Sequence, residues 1–412
     1  MTTSWRWGVA AGVIAGALLL GLASCGDDNE TTTAPPALSE DPLHLEIQSA
    51  VVPDFATTAL PTVRFRVTDG SGAPIDLEAE LVATTAPNTS GPRFTLAMLD
   101  DNGDYVSYFA TTVQPKLRAD LTADYTYIPD PEILGTTATE ASVKAKFPPA
   151  ARTQAQAPTF NKANLKKVSD GVYDYTFPAR TVTSGLDRTK THTVAGWMTR
   201  KPNAADTDVA FGSFNFVPSG GAAVQKLETV TDAACSKCHG FVQAHGSRRG
   251  VQLCITCHSP QTGDPETNQT VNFKVMIHKI HSGGDLPSVH QKTPYFIVGN
   301  SQSVHDWSDL SFPWHDHGVR HCTVCHDGED RDNWKSKPTQ TVCTSCHDNV
   351  KFDGGTACPT AGTTPTATLG FFADCLHAPG PISVTNPNDV ASCIGCHGPG
   401  AAQAVDKYHH GD

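Results

Sequence analysis

The sequence predicts two structural classes in one chain. Residues 43–218 are expected to form an all-β part, an antiparallel sandwich or split barrel, and residues 219–412 a part with little regular secondary structure and a few short helices. Three observations support this division. Short segments rich in Val, Thr, Tyr and Phe fill the first part, their alternation stops near residue 218, and Cys and His are concentrated beyond that point.

Alternating apolar residues predict about seven to nine strands in the β part. Segments such as "TVRFRVTDGSG" and "GVYDYTFPARTV" alternate with a period of two, and "TDGSG" and "DDNGD" are typical turn sequences. One face of each strand should therefore point into a core. The expected inward sets are Val63, Phe65 and Val67, and Tyr173, Tyr175 and Phe177.

The β part offers little visible chemistry. Asp100, Asn102 and Asp104 resemble the start of a calcium loop, but that loop needs Gly at its sixth position and Tyr105 stands there, so a hairpin turn is expected. His44 and His192 are isolated from each other and from any cysteine. We expect surface or packing roles for both.

The N-terminus predicts export and lipid anchoring. Residues 1–24 contain one charge, Arg6, followed by an apolar run that is short for a membrane span and typical of a signal peptide. The run ends in "LASC", which resembles the bacterial lipoprotein cleavage box and makes Cys25 the expected lipidated residue; an ordinary secretory signal is the alternative. Residues 25–42 are polar and Pro-containing, as in a flexible tether.

The C-terminal part has too few periodic apolar residues for a conventional core. Apart from short helical candidates such as "VNFKVMIHKIHSG" (271–283), Gly, Pro, Cys and His interrupt the sequence throughout. About 190 residues of this composition bury little apolar surface by themselves. Something other than side chains must fill the interior.

Five CxxCH motifs supply the missing component. Twelve of the 13 cysteines and 16 of the 18 histidines lie from Cys235 onward. The spacings from the first CxxC pair to the second and from the third to the fourth also fit zinc ribbons. A four-cysteine zinc site, however, has no use for a histidine after every pair. The motifs are Cys235–His239, Cys254–His258, Cys322–His326, Cys343–His347 and Cys393–His397.

Covalently attached haem c explains every position of the motif. Two thiols at this spacing form thioethers with the two vinyl groups of a porphyrin, and the following histidine becomes the proximal iron ligand. We therefore expect five haems c. The expected attachment residues are Cys235, Cys238, Cys254, Cys257, Cys322, Cys325, Cys343, Cys346, Cys393 and Cys396, with proximal ligands His239, His258, His326, His347 and His397.

The supply of further histidines favours two histidine ligands at each iron. Eleven histidines remain in this part after the proximal ones, and Met276 is its one methionine. His245 is too close in sequence to His239 to reach the same iron and is expected to serve a neighbouring haem. His278 and His281 lie on one helical face and are expected to serve two adjacent haems.

The segments "NFKVMIHKIHSGGDLPSV" and "PYFIVGNSQSVHDWSDLSFP", with the following "HCTVCHDG", resemble the OmcA/MtrC family of outer-membrane multihaem cytochromes. "DGVYDYTFPA" in the β part is also similar to that family. Members typically alternate β domains with pentahaem domains, so this chain looks like a half-length, pentahaem unit. The resemblance implies the distal ligands His245, His278, His281, His377 and His409, with His305 and His410 in reserve and His315, His317 and His321 as surface residues.

Cys358 and Cys375 belong to no CxxCH motif. In an exported protein the two are expected to form a disulfide that closes a loop rich in Gly, Thr and Pro next to His377. Two free thiols are the alternative.

Two functions remain open at this point. The leading hypothesis is a lipid-anchored protein of the outer membrane that conducts electrons. It would lie at the cell surface or on the periplasmic face of that membrane. It would exchange electrons with other multihaem cytochromes, a porin-cytochrome complex, metal oxides or flavins. The alternative is a periplasmic reductase of a small oxyanion with one open haem, so the sequence leaves enzymatic activity undecided. The net charge of −12 argues against a nucleic-acid partner.

Overall fold

The fold comes from a computed structural model. It describes residues 42–115, 148–221, 228–240, 242–291, 293–299, 304–313, 318–352, 375–377 and 387–409. The predicted signal peptide, Cys25 and the tether up to residue 41 lie outside these ranges.

Eleven strands form within the described residues up to Phe216, more than the seven to nine expected. The additional strands are short, and a segment of two or three residues carries no detectable alternation. The strands are β1 (Leu43–Val51), β2 (Thr62–Asp69), β3 (Asn88–Thr89), β4 (Arg93–Leu99), β5 (Tyr105–Ser107), β6 (Ala110–Val113), β7 (Arg152–Ala155), β8 (Leu165–Ser169), β9 (Val172–Thr176), β10 (His192–Lys201) and β11 (Asp208–Phe216). A short helix, α1 (Leu77–Glu80), and a 3₁₀ turn (Lys162–Asn164) interrupt them.

Most of these strands belong to two antiparallel sheets. One has the order β1-β2-β9-β8, and the other has the order β11-β10-β4-β5 with β3 paired to β10. β6 and β7 form a separate pair. The edge strands of the two sheets approach closely, since a Cβ added at Gly212 of β11 would lie 2.2 Å from the Leu45 carbonyl oxygen of β1. The predicted antiparallel β class is confirmed.

The core lies between the two sheets. Each residue of the predicted inward sets is at most 3% exposed, and Phe65 stacks on Tyr173 with ring centroids 5.8 Å apart. The second sheet differs, because β4 and β10 bury residues on both faces. An alternating pattern is therefore weak in these two strands.

The two candidate features of the β part have structural roles. Asp100 begins the turn between β4 and β5, where its carboxylate accepts hydrogen bonds from the backbone N–H groups of Asn102 and Asp104, both at 2.9 Å. The expected hairpin turn is confirmed. His192 is fully buried in the core, and His44 lies exposed on β1.

The C-terminal part is built from short elements, as predicted. The longest is α4 at ten residues, which overlaps the predicted helical segment 271–283. The helices are α2 (Asp232–His239), α3 (Val251–Cys257), α4 (Phe273–Ser282), α5 (Pro287–His290), α6 (Asn333–Ser336), α7 (Gln340–Cys343) and α8 (Ala391–His397). The strands are β12 (Gln243–Ala244), β13 (Arg248–Arg249), β14 (Phe296–Val298), β15 (Val304–Asp306), β16 (Val350–Lys351) and β17 (Cys375–Leu376), and 3₁₀ turns form at Gly283–Asp285, Gly318–Arg320, Cys322–Val324 and Val405–Lys407.

Buried apolar side chains become sparse along this part. A small cluster joins Val271, Leu286, Val289, Tyr295 and Ile297. Among the described residues after Val298, the buried apolar side chains are those of Pro338 and Ala404. The last three CxxCH motifs therefore lie in a region with almost no side-chain core.

Within the described part of the chain, no helix combines the length and the apolar character that crossing a membrane requires.

Candidate functional site

Each CxxCH motif forms a helical turn that brings its two cysteines and its histidine together. The first motif ends α2, the second lies in α3, and the fifth ends α8. In the second, third and fourth motifs the histidine N–H donates to the carbonyl of the first cysteine at 2.8–2.9 Å. One turn of helix thus carries all the groups that haem attachment needs.

Several thiols of the motifs are held in a poorly solvated environment. Burial, followed by the nearby Asp232 carboxylate, raises the pKa of Cys254 to about 12. Burial likewise raises the pKa of Cys343 to about 11, with a smaller effect of Cys393. Before haem attachment, these cysteines are therefore neutral thiols at neutral pH.

The histidine of every motif faces a second histidine. The distances between ring centroids fall in a narrow range, from 5.7 to 6.3 Å. The pairs are His239 with His281 at 6.0 Å, His258 with His245 at 5.9 Å, His326 with His278 at 6.3 Å, His347 with His409 at 6.1 Å, and His397 with His377 at 5.7 Å.

This spacing fits an iron atom between two imidazoles. A metal–imidazole bond is about 2 Å long and a ring nitrogen lies about 1 Å from its ring centroid, so two axial rings have centroids about 6 Å apart. The five partners are the five histidines predicted as distal ligands. The residues present therefore fit a haem at each motif.

Hydrogen bonds orient several of these rings. His258 Nδ1 lies 2.8 Å from the Val271 carbonyl, and His397 Nδ1 lies 3.0 Å from the Gln403 carbonyl. On α4, His281 Nδ1 lies 2.9 Å from the carbonyl of Ile277, one turn earlier. A carbonyl oxygen accepts only, so Nδ1 carries the proton and Nε2 keeps its lone pair for a metal.

Burial also keeps two of the paired histidines neutral. It lowers the pKa of His258 and of His278 to about 4, with minor effects from neighbouring histidines. A neutral imidazole binds iron and a protonated one does not.

Helix α4 joins three of the motifs. His281 faces the histidine of the first motif, while His278 faces that of the third. Ser282, at the end of the helix, lies with its Oγ 3.2 Å from the Cys346 Sγ of the fourth motif. One short helix therefore supplies groups to three of the five sites.

The cysteines reveal which motifs are neighbours. Burial is the largest cause of the raised pKa of four of the thiols, and a nearby cysteine of another motif raises each pKa further. Cys235 raises the pKa of Cys254, Cys325 that of Cys235, Cys346 that of Cys322, and Cys393 that of Cys343. Adjacent motifs in space are thus second and first, first and third, third and fourth, and fourth and fifth.

The second motif rests on the β part. Ile255 packs against Ala97, Leu99 and Tyr105, while Leu253 packs against Ala195 and Trp197. These contacts cover the outer face of the second sheet and explain why β4 and β10 are buried on both sides.

Polar contacts reinforce this attachment. Thr256 Oγ1 lies 2.8 Å from Thr95 Oγ1 in a buried position, and Lys274 Nζ lies 2.7 Å from Asp104 Oδ1. The sequence indicated neither contact, because each joins residues more than 150 positions apart.

Of the remaining candidates, His305 belongs to none of the five pairs. His305, on β15, is exposed with its ring stacked on Trp307 at 6.0 Å. His410, His315, His317 and Cys358 lie outside the described residues, as does the side chain of Cys375. The disulfide therefore stays a prediction.

One buried group near the histidines has no signal in the sequence. Ser345, inside the fourth motif, is fully buried with its Oγ 3.2 Å from His278 Nδ1. A serine between the two cysteines of a motif gives no indication of such a contact.

The C-terminal part matches a known family of domains. Residues 227–410 match the family model described as outer membrane cytochrome MtrC/MtrF-like, domains II/IV. This part of the chain is similar to the domains of that family. The match contains all five CxxCH motifs and confirms the resemblance to the OmcA/MtrC family that the sequence predicted.

Two solved structures that are similar to this chain are larger. The outer membrane decaheme cytochrome OmcA is similar with a TM-score of 0.56 and 22% identity, over 74% of this chain and 44% of that chain. MtrC from Shewanella baltica OS185 has a TM-score of 0.42 and 17% identity, over 75% of this chain and 40% of that chain. This chain thus spans less than half of either structure. No curated protein matches the sequence.

Proposed function

We propose that this chain is an outer-membrane cytochrome that carries five haems c and transfers electrons through them. The observation that carries the proposal is the pairing of every CxxCH histidine with a second histidine at 5.7–6.3 Å. Five independent pairs at the spacing of two axial imidazoles are difficult to explain without five irons.

The sparse core of the C-terminal part supports the same proposal. Because almost no described apolar side chain is buried after Val298, an apolar cofactor is needed to fill the interior near the last three motifs. Attachment through Cys322 and Cys325, and through the equivalent cysteines elsewhere, retains the cofactor in such a thin fold.

Two imidazole ligands favour electron transfer over chemistry at the metal. An iron with both axial positions filled has no site for a substrate, and its role is to change oxidation state. The pairing of all five motifs therefore argues against the alternative, a reductase of a small oxyanion with one open haem.

The neighbouring cysteines give a continuous order of sites. The chain would hold haems in the spatial sequence second, first, third, fourth, fifth motif. The second motif lies against the β part, and the fifth lies in α8, where Cys396 is exposed. Electrons would enter or leave near either end of this series.

Location and partners follow from the N-terminal sequence and from the proposed chemistry. Export and lipidation at Cys25 would anchor the protein to the outer membrane, with the cell surface as the expected face. The partners would be other multihaem cytochromes or a porin-cytochrome complex. Metal oxides or flavins would accept the electrons. The family match of residues 227–410 supports this class of function.

The ligand pairing can be tested in the full-length protein. Mass spectrometry should give the polypeptide plus five haems, and absorption spectra should be low-spin throughout. We expect His281→Ala to produce one high-spin haem that binds cyanide, because the iron at His239 would lose its second imidazole. His290→Ala, which changes an exposed histidine outside the five pairs, should leave all haems low-spin.

Two results would contradict the proposal. One is a mass without covalently bound haem. The other is a cyanide-binding haem in the unmodified protein, which would favour the reductase instead.

A further inference from the structure

The two ligand histidines on α4 differ in their hydrogen bonds. His281 Nδ1 lies 2.9 Å from the Ile277 carbonyl, one turn earlier. The carbonyl of Lys274 is placed equivalently for His278, where it opposes the burial that lowers the pKa of this ring. His278 has one additional neighbour, since Ser345 Oγ lies 3.2 Å from its Nδ1.

The environment of Ser345 determines which atom donates in the hydrogen bond between its Oγ and His278 Nδ1. Ser345 is fully buried, and its Oγ also lies 2.5 Å from the Val342 carbonyl oxygen. A hydroxyl group has a single proton, and a carbonyl can only accept it. Ser345 therefore donates to Val342 and accepts from Nδ1–H of His278.

Neighbouring contacts hold the serine against α4. Lys279 Nζ lies 2.7 Å from Asp348 Oδ2, and both side chains are at least 80% buried. The other oxygen of Asp348 accepts a hydrogen bond from the Ser288 backbone N–H at 2.9 Å. Helix α4, which carries the ligand of the third haem, is thus fixed to the segment of the fourth CxxCH motif.

We propose that Ser345 is a positioning residue that lowers the reduction potential of the haem at the third motif. A hydrogen bond accepted from the ligand N–H makes the imidazole more basic, and a more basic ligand stabilises ferric over ferrous iron. The haem at the first motif lacks this contribution, because no described hydroxyl lies at the ring of His281. This inference rests on the proposed function.

The physical consequence extends to the fourth haem. Ser345 lies between the cysteines that attach that haem, Cys343 and Cys346. Ser345 therefore orients the ligand His278 of the third haem and also belongs to the motif that attaches the fourth haem. Movement of the fourth motif would therefore change the reduction potential of the third haem.

The test is an EPR-monitored redox titration of the full-length, haem-loaded protein. The angle between the ring planes is 5° for His278 and His326 and 18° for His245 and His258, and nearly parallel ligand planes give rhombic low-spin signals. In the other three pairs the planes cross at 71–88°, which gives more anisotropic signals. His245→Ala removes one imidazole at the second motif and should make that iron high-spin, so the rhombic low-spin signal that remains belongs to the third.

We expect Ser345→Ala to shift the potential of the third haem to a more positive value and to leave the other four unchanged. Ser282→Ala is the matched control, because it removes another buried hydroxyl from the same junction without touching His278. Ser236→Ala removes a serine hydroxyl inside the first motif, where it bonds to the Asp232 carbonyl. Neither control should shift the third haem.

An unchanged potential in Ser345→Ala would overturn the inference, and so would an equal shift in Ser282→Ala, since packing of the loop would then be the cause. Absence of low-spin signals in the unmodified protein would instead refute the proposed function itself. The two failures are therefore distinguishable.

Discussion

His192 shows how one core residue responds to pH. Its Nδ1 lies 2.9 Å from the Lys190 carbonyl and must donate, so its Nε2 accepts from the Tyr108 hydroxyl at 2.7 Å. Both ring nitrogens are satisfied in the neutral form. Burial is the main reason that the pKa falls from 6.5 to about 4.

We predict that this histidine makes the protein less stable in acid. Below pH 6.5 the unfolded chain binds the proton and the folded chain does not, so the free energy of unfolding decreases as the pH falls, until about pH 4. The loss approaches about 3 kcal/mol at that limit. Thermal unfolding of His192→Gln, followed by circular dichroism, should lose this part of the pH dependence. His44→Gln, at an exposed position, should keep it, and an equal change in both variants would exclude His192 as the cause.

Helix α3 connects the β part with the haem-binding part at the scale of secondary structure. It begins after Gly250, whose φ of 90° places it in the region that favours glycine. A Cβ at Gly250 would lie 2.5 Å from the ring of Phe211 on β11. The helix and the sheet therefore approach so closely that only glycine fits.

We predict that Gly250→Ala destabilises the protein more than Gly240→Ala. Gly240 has a φ of 68°, but a Cβ added there would have no described heavy atom within 4 Å beyond its chain neighbours and its own helix. Each substitution costs about 1–2 kcal/mol from the left-handed backbone conformation. Gly250→Ala adds about 1–3 kcal/mol from overpacking against Phe211. Thermal unfolding should show the difference, and equal effects of the two substitutions would contradict close packing of α3 on the sheet.

At the largest scale, the described residues combine a β sandwich with a series of five linked sites. Each second histidine comes from outside its own motif, and those on α4 serve the first and third motifs. His409 follows the fifth motif in sequence but faces the histidine of the fourth. Folding of this part therefore brings together many segments around the five histidine pairs.

The relative orientation of the rings predicts two spectroscopic classes for the whole protein. Two histidine pairs have nearly parallel planes and three have crossed planes. EPR of the fully oxidised protein should therefore show rhombic and highly anisotropic low-spin haems in a ratio of two to three. Spin integration measures this ratio. Five haems of one class would contradict the arrangement of the rings.

Much of this architecture is predictable from sequence, for identifiable reasons. Val63, Phe65 and Val67 alternate because one face of β2 meets the core, and the structure confirms their burial. By contrast, β4 and β10 are covered on both faces, so alternation gives little information about them. The two-residue strand β3 is too short to be recognised from a pattern.

The sequence by itself determined the antiparallel β class and the five CxxCH motifs, because strand alternation and the spacing of residues within a motif are local properties of the chain. Only the tertiary structure decided which histidine faces which, the order of the sites in space, and the contact of Ser345 with His278. These depend on contacts between residues far apart in sequence, whose distances no local pattern specifies.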